Sequence, residues 1–325
     1  MTKVLGMGNA LVDVLATIED DNMLELLDLP KGSMQLIDTS KFEKISREIN
    51  KFKTEIISGG SAANTILGLA RLGVKTGFIG RIGKDSFAEY FKNDMSKYKV
   101  NSHLTEVDEA SGVASTFISA DGERTFGTYL GAAALLKAED LRKEDFEGYD
   151  YFYIEGYLVQ NYDLIRTAII MAKEAGAKII LDMASYNIVE ESRDFLIEII
   201  PEYVDIVFAN EQEAEAFLHL PAEEAVSELA KLTDIAIVKT GSQGSWLQQG
   251  DNKIFIPAQK VNCVDSTGAG DLYASGFLYG LINNLPLQKS GETGTMLAAE
   301  VIQEVGAKIP DTGWGKILKE LGISA

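Results

Sequence analysis

The chain has 325 residues with 49 acidic and 30 basic side chains, a formal net charge of −19, two histidines and one cysteine. One cysteine excludes an internal disulfide or a multi-cysteine zinc site, and the scarcity of histidine disfavours a His-rich metal centre or a Ser-His-Asp triad, so we expect a carboxylate to perform any acid–base chemistry. The negative charge argues against a nucleic-acid partner, since phosphate backbones are bound by clustered Lys and Arg.

The first residues do not have the pattern of a secretory signal, because Asp13 comes before any long apolar run develops. No run of about 18 uninterrupted apolar residues indicates a membrane helix. We therefore expect a cytoplasmic protein without a membrane partner, either a monomer or a homodimer.

Short β-rich runs alternate with helical stretches along most of the chain. The predicted strands cover residues 3–8, 76–80, 151–154, 178–181, 204–208 and 235–238. The predicted helices cover residues 61–72, 164–175, 211–218 and 272–282. Continuous Ile/Val runs separated by helices indicate a mostly parallel sheet covered on both faces, so we predict a doubly wound α/β fold.

Two stretches break this alternation. Residues 12–18 and 33–37 look like strands with no helix between them, and residues 113–120 and 124–130 look like a hairpin that turns at Asp121-Gly122. These four strands predict a small β-sheet lid, formed by about 12–38 and 112–130 and inserted in a single domain over residues 1–325. The alternative is that they extend the main sheet.

Asn9 and Asp13 follow the first predicted strand, where they could bind ligand hydroxyls at the carboxyl edge of the sheet. The dinucleotide-binding pattern GxGxxG begins at Gly6 but fails at Leu11, which disfavours a Rossmann cofactor site. The sequence contains neither a Walker A pattern nor the DFG and HRD triplets, which excludes those two kinds of nucleotide kinase.

A glycine pair, Gly59-Gly60, precedes the helix predicted at 61–72. Adjacent glycines allow a ligand to approach the backbone closely, and Asn64 would lie about one turn inside the helix. The alternative is an ordinary helix capped by Ser61 after a flexible turn.

Two further segments follow predicted strand ends, one with Asn210 and Glu213 and the other with Thr240, Gly241 and Gly244. Acidic residues near a phosphate site can hold Mg²⁺ through its waters. The alternative for Glu213 is a solvated helix face.

The sharpest local pattern is the segment DSTGAGD at 265–271, which leads into the helix predicted at 272–282. Gly268 and Gly270 permit a tight turn where the helix begins, and the free N–H groups there make an anion site. Asp271 would repel a bound phosphate unless it acts as the general base on an attacking hydroxyl. Arg124, in the predicted hairpin, could supply a cation for a transferring phosphoryl group. The alternatives are an ordinary helix start and an exposed arginine.

Together these segments resemble the ribokinase-like (PfkB) carbohydrate kinase family. The N-terminal signature runs from Gly59 to Asn64 and continues through Gly73, Gly80 and Gly83, and the C-terminal signature is 265–271 followed by Ser275-Gly276-Phe277. The matches follow the family order along almost the entire chain, with Ser266 in place of the more usual threonine. Residues 8–13 and 204–214 are similar to the adenosine kinase branch.

The resemblance implies ATP-dependent phosphorylation of a ribofuranose 5′-hydroxyl, on a nucleoside such as adenosine, with ribokinase, fructokinase or another sugar kinase as the runner-up. A non-catalytic nucleotide-binding regulator and a dinucleotide-dependent oxidoreductase are alternatives of other classes. By the resemblance Asp271 is the base, and the backbone anion hole is formed by Gly268, Ala269 and Gly270. The implied substrate-binding residues are Asn9, Asp13, Gly59, Gly60 and Asn64.

The same resemblance implies the cofactors. Asn210 and Glu213 would organise Mg²⁺ and phosphate, and the ATP site would run along Thr240, Gly241 and Gly244. Many members of the family also need a monovalent cation such as K⁺, and Asp265 and Thr267 match its loop.

Overall fold

The computed structural model of the chain describes residues 2–323. Within them, nine strands form a large sheet, in the spatial order β14 (Asn252–Pro257), β13 (Gly244–Gln249), β12 (Ile235–Lys239), β11 (Val204–Asn210), β10 (Lys178–Asp182), β9 (Tyr151–Glu155), β1 (Lys3–Met7), β5 (Lys75–Ile82), β6 (Asn101–Glu106). The strands from β12 to β6 are parallel, and β13 is antiparallel to both of its neighbours. The predicted doubly wound α/β fold is confirmed.

Helices cover both faces of this sheet. Their bounds are α1 (Asn22–Leu26), α2 (Thr39–Ile49), α3 (Ser61–Arg71), α4 (Ser86–Lys97), α5 (Tyr162–Glu174), α6 (Tyr186–Glu191), α7 (Arg193–Tyr203), α8 (Glu211–Leu218), α9 (Ala222–Leu229), α10 (Ala269–Ile282), α11 (Leu287–Val301) and α12 (Asp311–Glu320). One core packs α3, α4 and α10 against the sheet, and another packs α5, α7, α8 and α9 against its other face. Neighbouring strand residues divide between them, as Val207 and Phe208 do, because side chains alternate along a strand.

A second sheet of five strands lies apart from the large one. Its spatial order is β3 (Met34–Leu36), β8 (Arg124–Tyr129), β7 (Gly112–Ile118), β2 (Leu11–Thr17) and β4 (Thr54–Gly59). It has its own apolar core, in which Val14 and Phe117 pack against Ile45 of α2. The predicted small sheet is therefore confirmed, and the alternative of an extended main sheet is wrong. That this sheet acts as a lid stays a prediction.

Two details of this region differ from the sequence analysis. β4 is a strand that the sequence analysis did not predict, because its adjacent apolar residues Ile56 and Ile57 do not alternate with polar ones. It forms by pairing with β2, which local sequence does not show. The five-residue helix α1 lies between β2 and β3, and it is too short for a periodic signal.

The fold brings the ends of several strands together at one edge. β1 lies between β5 and β9, so the order of strands reverses there, and α/β sheets bind ligands outside such a switch point. Glu155, Asp182, Asn210 and Lys239 are the last residues of four neighbouring parallel strands. Within residues 2–323 there is no helix with the length and apolar character needed to cross a bilayer.

Candidate active site

Asp271 lies in the first turn of α10 and is fixed by the neighbouring helix α3. Ser61 Oγ donates a hydrogen bond to its Oδ1 (2.7 Å), and Asn64 Nδ2 donates to its Oδ2 (2.9 Å). Burial raises the pKa of Asp271 to about 6, although the bonds from Asn64 and Ser61 oppose the rise. The carboxylate is thus oriented and ionised near neutral pH, as a general base must be.

The loop before Asp271 turns through Gly268, which has a left-handed φ of 77° and caps α10. A Cβ atom on Gly268 would lie 2.6 Å from the Cβ of Ala307, so the turn requires glycine. The Ala269 N–H donates to the Ser266 carbonyl (3.2 Å), whereas the Gly270 N–H has no acceptor within the described residues. The helix start therefore offers an unbonded N–H group next to the carboxylate.

Two acceptor groups near Asp271 receive no hydrogen bond from a side chain or loop of the described residues. Asn64 Oδ1 is buried without a hydrogen-bond partner among them. The Asp13 carboxylate accepts no side-chain or loop hydrogen bond from residues 2–323 and faces Gly59, on which a Cβ would lie 2.7 Å from Asp13 Oδ2. Burial raises the pKa of Asp13 to about 7, with Lys308 opposing the rise. Such acceptors suit a ligand that carries hydroxyl donors.

Glu155 joins β9 to the start of α3 and was missed by the sequence analysis. Its Oε1 accepts from the backbone N–H (3.2 Å) and Nδ2 (2.8 Å) of Asn9, and its Oε2 accepts from the Ala62 N–H (2.8 Å). Burial raises the pKa of Glu155 to about 7. Gly60, with φ 97°, packs against the Asn9 carbonyl where a side chain would collide. Gly60 caps α3, and Ser61 is its first residue, so the alternative of a helix capped by Ser61 is wrong.

Arg124 connects the small sheet to the loop that begins at Asp265. Its Nη1 donates to Asp265 Oδ2 in a buried ion pair, and its Nη2 is buried with no hydrogen-bond partner in the part of the chain that the structure describes. Asp265 Oδ2 also accepts from the Gly306 N–H (2.7 Å), and Oδ1 accepts from the N–H (3.0 Å) and hydroxyl (2.8 Å) of Thr267. Protein donors therefore reach both oxygens of Asp265, and the binding of a monovalent cation at Asp265 and Thr267 stays a prediction.

Asn210 and Glu213 form a capping box at the start of α8. The N–H and Nδ2 of Asn210 donate to the two Glu213 oxygens (2.7 and 2.6 Å), and the Glu213 N–H donates to Asn210 Oδ1 (2.9 Å). Glu213 is 2% exposed, so the solvated helix face is excluded, and burial raises its pKa. Within the described residues no three acidic, His or Cys side chains are placed to hold a metal.

Thr240, Gly241 and Gly244 form the turn between β12 and β13. The N–H and hydroxyl of Thr240 both donate to the Gly244 carbonyl (2.8 and 3.0 Å), so this side chain shapes the turn. Gly244, with φ 138°, packs against the Ile256 carbonyl. Gly241 has φ 54° and open space on its Cα, so a ligand could reach its backbone.

Lys239 and Asp182 were also missed by the sequence analysis. Lys239 Nζ donates to Asp182 Oδ2 (3.1 Å) and lies 3.2 Å from the position of a Cβ on Gly270. Like Glu155, each is an ionisable residue that ends a parallel strand with an apolar interior. A charged residue at that position of a predicted strand could have identified all three from the sequence.

The parallel sheet, the carboxylate beside a free helix start and the second small sheet together define a ribokinase-like phosphotransferase. Residues 32–312 match the family described as "pfkB family carbohydrate kinase", and the chain belongs to that family. It is accordingly an ATP-dependent carbohydrate or nucleoside kinase.

Individual relatives cover nearly the whole chain. It is 27% identical to "Adenosine kinase 2" of Arabidopsis thaliana, over 95% of this chain and 96% of the relative. The structure of adenosine kinase from Sinorhizobium meliloti is 31% identical with a TM-score of 0.86, over 98% of this chain and 99% of that one. A probable sugar kinase from Rhizobium etli CFN 42 is 31% identical with a TM-score of 0.87, over 99% and 98%. The predicted likeness to the adenosine kinase branch is confirmed.

Proposed function

We propose that this chain transfers the γ-phosphoryl group of ATP to the 5′-hydroxyl of a ribofuranosyl substrate, a nucleoside such as adenosine. The observation that carries the proposal is the Asp271 carboxylate, held by Ser61 and Asn64 in the first turn of α10. The similarity to adenosine kinases along nearly the full length supports a nucleoside as the acceptor.

In this reaction Asp271 removes the proton from the acceptor hydroxyl. The hydroxyl oxygen forms a bond to the γ-phosphorus as the bond from that phosphorus to ADP breaks, and ADP leaves with the electron pair. The N–H groups at Gly268, Ala269 and Gly270, with the positive end of α10, stabilise the charge on the transferring oxygens. Among residues 2–323 the Gly270 N–H has no acceptor, so it is available for this role.

The substrate hydroxyls would bind to the free acceptors near Asp271. The Asp13 carboxylate and Asn64 Oδ1 both accept hydrogen bonds, so each can take one from a sugar hydroxyl. Gly59 and Gly60 let the sugar approach the backbone. Glu155 accepts hydrogen bonds from Asn9 and from Ala62 of α3, and so would hold Asn9 in place beside the substrate.

The nucleotide would lie along the strand ends occupied by Asn210, Thr240 and Gly241, with Gly244 shaping the turn. Mg²⁺ bound with ATP would neutralise phosphate charge, and Glu213 would contact it through water. Arg124 would bring a cation to the phosphates from the small sheet, which acts as a lid. No step uses a monovalent cation.

The test is ATP turnover with a panel of adenosine, other nucleosides, ribose and fructose, measured by ADP release and by mass of the product. We expect adenosine to be phosphorylated and 5′-deoxyadenosine, which lacks the accepting hydroxyl, to inhibit without reacting. Turnover of free sugars alone would favour the sugar kinase, which the Rhizobium etli relative supports. Stoichiometric ATP binding without ADP release would favour a regulator.

A further inference from the structure

Lys239 ends β12 at the carboxyl edge of the large sheet, where none of the roles above accounts for it. Its side chain is 17% exposed, and its Nζ donates to Asp182 Oδ2 (3.1 Å). The same Nζ is 3.2 Å from the place of a Cβ on Gly270. The ammonium therefore lies against the backbone loop expected to hold the transferring phosphoryl group.

The hydrogen bonds around Lys239 leave donors available. An ammonium has three N–H donors, and within residues 2–323 its one hydrogen-bond acceptor is Asp182. Asp182 is also bonded by the Tyr153 hydroxyl (3.3 Å) and the Ala184 N–H (3.1 Å), so it does not depend on the lysine alone. Two donors of Lys239 thus remain for a ligand.

The surroundings keep this lysine charged. Burial by itself lowers the pKa of Lys239, but the nearby carboxylates of Asp182, Glu213 and Asp271 raise it to a net value above the ordinary one. A charged and largely desolvated cation next to a free N–H group suits an anion with several oxygens.

We propose that Lys239 Nζ binds the γ-phosphoryl oxygens of ATP at the Gly270 end of the anion loop, as a catalytic cation additional to Arg124. This inference rests on the proposed function. Lys239 keeps all of its protons during transfer: the acceptor proton goes to Asp271, and the bonding electrons of the broken P–O bond leave with ADP. The lysine contributes charge and hydrogen bonds that follow the moving phosphoryl group.

A purely structural role would differ in its consequences. If Lys239 only neutralised Asp182 and Glu213, its removal would lower stability and weaken every ligand alike. A phosphoryl-binding lysine instead discriminates between nucleotides with and without the third phosphate.

The experiment compares Lys239→Met and Lys239→Gln with the wild type. Lys178→Met is the matched control, since it makes the same charge change on an exposed side chain at the opposite edge of the sheet. Calorimetry measures the affinity for Mg²⁺-bound AMP-PNP, ADP and adenosine, and turnover gives kcat. We expect affinity for AMP-PNP to fall about 10-fold, ADP less than about 3-fold and adenosine not at all, with kcat about 10²-fold lower. The control should behave as the wild type.

Equal losses for AMP-PNP, ADP and adenosine, or unchanged affinities with unchanged kcat, would overturn the proposal. Lys239→Gln can keep the hydrogen bond to Asp182 but loses the charge. If both variants misfold, the role of Lys239 is to neutralise charge in the fold, and the proposal is rejected. If the wild type phosphorylates no acceptor, the proposed function fails, yet the preference for AMP-PNP over ADP still tests the lysine. If turnover holds and that preference is unchanged, the lysine proposal alone fails.

Discussion

Replacing Asp271 with asparagine removes the proposed general base while changing the shape of the site little. The amide oxygen can accept from Asn64 Nδ2, and the amide nitrogen can donate to Ser61 Oγ, whose hydroxyl is free to rotate. Both contacts between α3 and α10 therefore survive in the variant. Asparagine is neutral, so the variant avoids the cost of burying a charge, which is the effect that raises the pKa of the carboxylate. We therefore expect no loss of stability.

The expected loss is that of the base alone. General-base removal costs about 10²–10⁴-fold in rate, or roughly 3 to 5 kcal/mol of barrier. Because Asp271 must be ionised and its pKa is about 6, wild-type kcat/KM should rise about tenfold per pH unit below that value and level off above it. The residual activity of Asp271→Asn should lack this rise.

The assay is ADP release over a range of ATP and nucleoside concentrations between pH 5 and 8, which gives kcat and kcat/KM, with calorimetry for both ligands. Asp251→Asn, in the exposed turn between β13 and β14, makes the same charge change away from the site and should retain wild-type kcat. The reasoning is refuted if Asp271→Asn retains kcat within about threefold of the wild type, or if its kcat/KM keeps the wild-type dependence on pH.

Three further substitutions test separate parts of the site. Gly268→Ala should lower the free energy of unfolding by about 1–2 kcal/mol in denaturant unfolding, because Gly268 has a left-handed φ, and it should also lower kcat in turnover assays. The control Gly315→Ala, in a helix with open space around the added Cβ, should change neither. Arg124→Ala should lower kcat about 10²-fold in turnover assays, because it removes a buried cation and leaves Asp265 uncompensated. Asp13→Asn should weaken nucleoside binding by calorimetry but raise the unfolding temperature of the free protein at pH 8 more than at pH 5.

For each of these substitutions, one result would contradict the prediction. Wild-type stability for Gly268→Ala would mean that the loop can adopt another turn. Unchanged kcat for Arg124→Ala would remove the small sheet from the chemistry. For Asp13, the raised pKa means that stability present below the unfolded pKa, near 4, is lost as pH rises through about 7. If Asp13→Asn does not unfold at a higher temperature than the wild type at pH 8, burial of the ionised Asp13 carboxylate does not lower stability.

The sequence predicted the parts of the fold and site that local patterns encode. Apolar runs gave the parallel strands, and the helix predicted at 211–218 coincides with α8. Asp271 and Gly268 could be singled out because a glycine turn at a helix start has a direct physical meaning. That Arg124 pairs with Asp265, 141 residues away, could not be predicted, since it depends on how the small sheet lies against the loop.

The residues that the sequence analysis missed have a common physical cause. Glu155 and Lys239 each end a strand whose other residues are almost all apolar, so each is a single charge within a core pattern. Their meaning comes from alignment across the sheet, which places Asp182 next to Glu155 and Lys239 next to Asn210. A rule that marks charged residues at the ends of buried parallel strands would have found them, because burial of an unpaired charge is too costly to occur without a partner or a ligand.

The distribution of charge explains how an acidic protein can bind a polyanion. Asp13, Glu155, Glu213 and Asp271 are carboxyl groups whose pKa burial raises, so the ligand-free site gives up stability as pH rises from about 4 toward 7. In the proposed site, donors offset the repulsion between these groups and phosphate: the N–H groups at the start of α10, and the ammonium of Lys239 next to the same loop. The net charge of −19 is a sum over the whole chain, whereas a phosphoryl group bound at the start of α10, as proposed, would meet a few donors at that one place.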